Sequence, residues 1–269
     1  MSENLTHQPF TVGGAIGFGW KRTWRNFWWL LLVSVIMFAI NAGISLFTAG
    51  GDYGSLDLSS EAGLQDQLLS AGAVGFDLVG SVVQYLVTIF LALGVIRIAL
   101  GVTQGERVQI GLLWSFKGFG RYLLGSIIVS LLIGIGLFIP LGAGFAITVA
   151  ADQPAWVIIG GIIGVLIAIV LTIGFSLYGF AIVDQDAKGV SSLGVSWRLI
   201  RPRFGSFLGM AILIGLIAFA TFFVAIILGI LMLVLGILLT LPAAGVIIFG
   251  LTAFATAFAY RTLAGEPVA

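Results

Sequence analysis

LGVSWRLIRPRF, residues 193–204, is the stretch whose interpretation settles how the rest of the chain is organised. As a helix it puts Leu193, Trp197, Ile200 and Phe204 along one face at spacings of 4, 3 and 4, while Arg198 and Arg201 point elsewhere. A basic amphipathic helix of this kind is expected to lie flat on a membrane surface. An ungapped shift of 81 positions brings up Leu112, Phe116, Phe119 and Leu123, with Lys117 under Arg198. A further shift of 96 brings up Ile16, Trp20, Thr23 and Phe27, with Lys21 under Lys117. Each copy leads into a long apolar run. The pattern predicts an all-α polytopic membrane protein, a single domain over residues 1–269. Its three repeats, at about 11–100, 101–183 and 184–262, would each be an amphipathic surface helix plus a transmembrane hairpin.

Composition points the same way. Hydrophobic residues make up 60% of the 269 and charged residues only 9%, against roughly a quarter charged in soluble domains; the mean hydropathy is +1.19. At about 20 residues per crossing of a 30 Å hydrocarbon core, the apolar runs make room for six spans and no soluble domain. The expected spans are 28–48, 76–100, 124–150, 156–183, 205–234 and 243–260, and the first is read as retained because no short, positively headed signal core precedes it. Ahead of it, Thr11 is placed to cap an amphipathic helix over 13–27, and a second such helix is expected over 111–123. Residues 49–75, acidic and rich in glycine and serine, read as the one sizeable loop. Pro140, Gly142 and Gly144 predict a kink or local unwinding in the third span. The fourth span, with some 28 residues, must tilt or protrude, and the chain is expected to turn near Thr240-Leu241-Pro242.

All twelve basic residues fall on one side of a six-span arrangement. Asp52, Asp57, Glu61, Asp66, Asp77 and Asp152 fall on the other, which leaves about +7 on one side and −6 on the opposite side. Because cations stay on the cytoplasmic side during insertion, the expectation is a multi-pass protein of the cell membrane with both termini cytoplasmic. Trp20, Trp24, Trp28, Trp29, Trp114 and Trp197 then mark the inner boundary and Trp156 the outer one, as aromatic anchors.

Residues able to carry chemistry are few. There is no cysteine, and the single histidine, His7, lies in the N-terminal tail, so thiolate catalysis, a Ser-His pair within the spans and a histidine metal cluster are absent from the sequence. Asp184 and Asp186 form the one close carboxylate pair, and Lys188 with the arginines after it is expected to neutralise them in a structural role. No ionisable residue sits near the centre of a span. Arg97 is close enough to an inner end to snorkel. Asn41 and Gln84 are the mid-span polar groups that each need a partner in lipid, and Gly160 with Gly164 and Gly205 with Gly209 have the spacing of close helix approach.

At WKRTWRNFWWLLL, FKGFGRYLLGSII and VDQDAKGVSSLGVSWRLIRPRFGSFLGMAIL the chain resembles a group of uncharacterised six-helix integral membrane proteins of bacteria and archaea. It is also similar to the membrane domain attached to some glycerophosphodiester phosphodiesterases. The resemblance implies the membrane architecture over nearly the whole chain. It implies no phosphodiesterase activity, since the attached hydrolase domain has no counterpart here. The expectation is therefore a non-enzymatic accessory, scaffolding or interaction subunit of a membrane assembly, with no cofactor and no metal. Lys21, Arg25, Lys117, Arg121, Arg198 and Arg201 are the expected contacts to anionic lipid headgroups or a partner. Partners would be membrane lipids and other membrane subunits or further copies of the chain, not nucleic acid. The alternative is a transporter or channel for a lipid or hydrophobic substrate, favoured by the Pro140 interruption.

Overall fold

The computed structural model describes residues 9–48, 61–231 and 233–268. Those residues form nine α-helices and, among the described residues, no β-strand: α1 (Val12–Arg25), α2 (Phe27–Thr48), α3 (Glu61–Thr103), α4 (Phe119–Ala151), α5 (Ala155–Phe175), α6 (Tyr178–Gln185), α7 (Gly189–Ile200), α8 (Phe204–Leu231) and α9 (Leu233–Ala264). Six stretches are long and apolar enough to cross a membrane: Phe27–Ile44, Val79–Thr103, Phe119–Ala151, Ala155–Gln185, Gly189–Leu231 and Thr240–Ala264. The chain is thus a multi-pass, all-helical membrane protein with six candidate spans.

The spans are not equivalent. In α3 and α9 the membrane-length windows are 50% and 44% buried, in α4 only 6%, so α3 and α9 are central and the others flank them. The core is also placed unevenly along the helix axes. Ile98, Leu100 and Val102 of α3, Leu113, Ile173 and Leu177, Phe180 and Ala181 of α6, Ile200 of α7, and Phe254, Phe258 and Tyr260 of α9 belong to one buried cluster. All lie toward the end of the bundle that carries the lysines and arginines. Toward the opposite end, α4 and α5 pack mainly on each other and leave Phe138, Ile139, Phe145, Ile162 and Leu166 outward-facing. Large apolar side chains outside and small ones at the seam are what association within lipid favours, since lipid tails are as apolar as leucine.

The α4–α5 seam shows why. A Cβ at Gly160 would collide with the carbonyl of Pro140, one at Gly144 with the carbonyl of Trp156, and one at Gly164 with that of Leu137. The helix does not unwind at Pro140: α4 continues through it, with the backbone there held against α5. At the far tip, Val157 N–H donates to Thr148 Oγ1 at 3.0 Å and Asp152 takes a left-handed conformation to close the turn.

Four further expectations are corrected. Residues 61–75 are the first turns of α3 and not loop, because the acidic segment is also rich in helix formers; residues 49–60 lie outside the described residues. The segment 111–123 is not one helix. It folds as a 3₁₀ turn, Ile110–Trp114, then an extended link to Gly118, whose φ of +77° stops any helix from running through. The fourth span does not run unbroken, since Ser176 and Leu177 separate α5 from α6. Finally, the chain does not turn at 240–242, which lies within α9. Thr240 Oγ1 donates to the Ala225 carbonyl at 2.8 Å across the hairpin, and Pro242 lies inside α9.

Nor do α1 and α7 rest flat on a surface. Along α1, Gly14 meets Phe258, Gly19 meets Leu251 and Ala255, and Thr23 meets Gly250. Contacts that advance along α1 while they retreat along α9 mean that the two helices run antiparallel, side by side. The Thr11 cap forms as expected, with Gly14 N–H donating to Thr11 Oγ1 at 3.1 Å. The buried face of α1 is small and polar, comprising Ala15, Gly19, Arg22 and Thr23, while Trp20 and Trp24 point outward. In water such a helix would be inside out; beside lipid it is the stable arrangement.

Candidate functional site

The basic end of the bundle is where side-chain chemistry gathers. Arg97, near the end of α3, donates through Nη1 to the Ser115 carbonyl and through Nη2 to the Lys117 carbonyl. It satisfies the carbonyls of the extended link that replaces a second surface helix.

The two aspartates at the end of α6 are held apart by different arginines. Asp184 Oδ1 pairs with Arg261 Nη2 at 2.9 Å, and Asp184 Oδ2 accepts from the Tyr260 hydroxyl at 3.1 Å. Arg261 also pairs through Nη1 with Glu266, and its side chain is only 9% exposed. Asp186 pairs with Arg121 Nη1 at 2.5 Å and offers its carbonyl to the same nitrogen at 3.0 Å, from a left-handed position that caps α6. The partners are thus Arg121 and Arg261, not Lys188, because the α6 terminus faces the ends of α4 and α9. Both carboxylates are committed to holding helices together, and among the described residues no group of three metal-ligating side chains forms.

The break between α5 and α6 is closed from outside. Leu177 N–H donates to Ser196 Oγ at 3.1 Å, and the Ser196 hydroxyl donates to the Gly174 carbonyl at 2.8 Å, so one buried side chain of α7 replaces the missing helical bonds on both sides. Trp197 lies on Gly174 so closely that any Cβ there would meet its ring. On the other side of Trp197, a groove of about 160 Å³ is lined by Val170, Ile200, Arg201, Phe204 and Trp197 itself. Neither Ser196 nor Gly174 stands out in the sequence. The available signal was a glycine and a serine close together near the end of the fourth apolar run, opposite a serine-tryptophan pair in the next helix.

Of the six residues expected to contact headgroups or a partner, Lys21, Arg25, Lys117, Arg121, Arg198 and Arg201 are all exposed. They do not converge on one point. Arg121 is tied to Asp186, Lys117 sits on the link held by Arg97, and Lys21 and Arg25 lie on α1. Arg201 lines the groove, and Arg198 and Arg203 are exposed near it in sequence.

Deeper in the bundle, Asn41 and Gln84 find each other, Gln84 Nε2 donating to Asn41 Oδ1, while Asn41 Nδ2 donates to the Met37 carbonyl at 2.7 Å. Gly205 and Gly209 meet nothing within 4 Å, unlike Gly160 and Gly164. A second, largely apolar groove of about 370 Å³ lies between α2 and α9, lined by Leu31, Ser34, Val35, Phe38, Leu241, Pro242 and Gly245. In comparisons with protein-family models, curated proteins and solved structures, nothing matches the chain.

Proposed function

We propose that the protein is a non-enzymatic accessory or scaffolding subunit of an assembly in the cell membrane, with both termini and the basic end in the cytoplasm. The observation that carries this is the use made of the polar groups. Asp184, Asp186, Arg97, Arg121, Arg261 and Ser196 each join one element to another, while Asn41 and Gln84 join α2 to α3. Such groups over-determine a rigid base and leave the hairpin α4–α5 extending from it with apolar faces available to neighbouring helices. The positive-inside bias of the sequence supports the orientation.

The test is affinity purification of the full chain from native membranes in mild detergent. A fixed partner at constant stoichiometry is expected; a protein that elutes alone and monodisperse overturns the proposal. The groove between α2 and α9 favours a second function, passage or holding of a lipid or hydrophobic substrate. In that case Gly245→Leu, which fills the groove, abolishes uptake of the substrate into vesicles and leaves partner recovery unchanged.

A further inference from the structure

We infer that the groove between α5, α7 and the start of α8 is a binding site for one anionic phospholipid, its headgroup phosphate held by Arg201 with Arg198 or Arg203 and an acyl chain lying against Val170 and Phe204. The inference rests on the orientation proposed above, in which the basic end meets the anionic leaflet.

Three observations converge. The first is charge. Arg97, Arg121 and Arg261 are each engaged with carbonyls or carboxylates of the chain, whereas Arg198, Arg201 and Arg203 are exposed and pair with no carboxylate among the described residues. Three guanidinium groups within six positions therefore await an anion from outside the chain, and arginine matches a phosphate by paired N–H donors.

The second is shape. The groove walls are the apolar bodies of Val170, Trp197, Ile200 and Phe204, and Arg201 is its one charged lining residue. A free phosphate would use the arginine and leave those walls bare; a lipid uses both.

The third is depth. Helix α5 has 21 residues, about 31 Å at 1.5 Å per residue, which matches a hydrocarbon core of about 30 Å. If Pro154 marks one boundary, the break at Ser176 and Leu177 marks the other. Val170 then lies six residues, about 9 Å, inside that boundary, and α7, which runs back along α5 from the break, brings Arg201 to the depth of Val170, from which an arginine side chain can reach back to the headgroups. Packing of Trp197 on Gly174 fixes that level.

The experiment uses the full chain in nanodiscs of phosphatidylcholine containing phosphatidylglycerol, with lipids retained after gentle detergent transfer counted by native mass spectrometry. Enrichment of phosphatidylglycerol over phosphatidylcholine is expected, falling about fivefold for each arginine removed in Arg201→Gln and Arg198→Gln. Val170→Trp, which fills the apolar floor, should lower retention while all three arginines remain. Lys188→Gln, an exposed cation away from the groove, should change retention by less than twofold. Equal losses in Lys188→Gln and Arg201→Gln would show diffuse attraction and overturn the site, as would unchanged retention in the arginine variants. Competition by glycerol phosphate as strong as that by phosphatidylglycerol would reduce it to a phosphate site and overturn the lipid. Recovery of a partner protein is scored separately in Arg201→Gln, so failure of the subunit proposal and failure of the lipid site give different results.

Discussion

Ser196 shows how much one hydroxyl can carry when it is buried. It accepts from Leu177 N–H and donates to the Gly174 carbonyl, so Ser196→Ala leaves a donor and an acceptor without partners, at a cost of about 1–3 kcal/mol each where water does not replace it. The expected outcome is a lower thermal midpoint in detergent, with the fold retained; Ser196→Ala as stable as the parent would show that the break is held by other means. Asp184 is a second such position. With its side chain 14% exposed and Arg261 at 9%, Asp184→Asn removes one of the two carboxylates around a buried guanidinium. Breaking a pair of this kind costs about 3 kcal/mol. Were the aspartate catalytic, the variant would remain as stable as the parent and lose an activity; as a structural partner it loses stability first, which chemical denaturation measures.

Among the elements, the α4–α5 hairpin and α8 separate two uses of glycine that look alike in sequence. Gly160 and Gly164 lie at carbonyl contact with α4, whereas Gly205 and Gly209 meet open space. Gly160→Ala must push the helices apart and is expected to destabilise by about 1–3 kcal/mol, in the range of overpacked interiors. Gly205→Ala gains helix propensity, up to about 1 kcal/mol, with no steric cost. A thermal-shift comparison of the two variants checks the contrast, and equal effects would contradict the packing. The same elements show where pattern reading stops. The face Leu193, Trp197, Ile200, Phe204 is a real helical face, with Leu193 and Ile200 buried, yet α7 lies against α5 and α6 and not on open membrane. Its counterpart around Leu112 and Phe116 is not one α-helix: Leu112 lies in a 3₁₀ turn and Phe116 in the link whose carbonyls Arg97 holds before Gly118.

For the whole molecule, the separation of charge and the location of the core coincide: the buried cluster and the ion pairs occupy the end that carries the cations. If that end is cytoplasmic, cysteines introduced at Lys117 and Arg203 stay unlabelled by a membrane-impermeant maleimide in intact cells, and one introduced at Asp152 is labelled. Label at Lys117 or Arg203 from outside would reverse the orientation and remove the basis for the lipid site. The six spans were legible because a lipid solvent imposes length and apolarity on each segment independently of its neighbours. The Asn41–Gln84 pair was legible as a need for partners, since an amide donor without an acceptor is costly in lipid.

By itself, then, the sequence determined the helical class, the candidate spans, the one-sided distribution of cations and the scarcity of reactive groups, all of which are local or additive properties of the chain. Only the tertiary structure decided which carboxylate meets which arginine, that α1 and α7 fold back along α9 and α5, and that a groove opens beside Arg201. Those outcomes depend on residues 19 to 77 positions apart arriving at the same depth, as Leu177 with Ser196 and Asp184 with Arg261 do. Hydrophobic periodicity fixes which face of a helix is apolar but not which neighbour covers it, and in lipid an apolar face has no need of a protein neighbour at all.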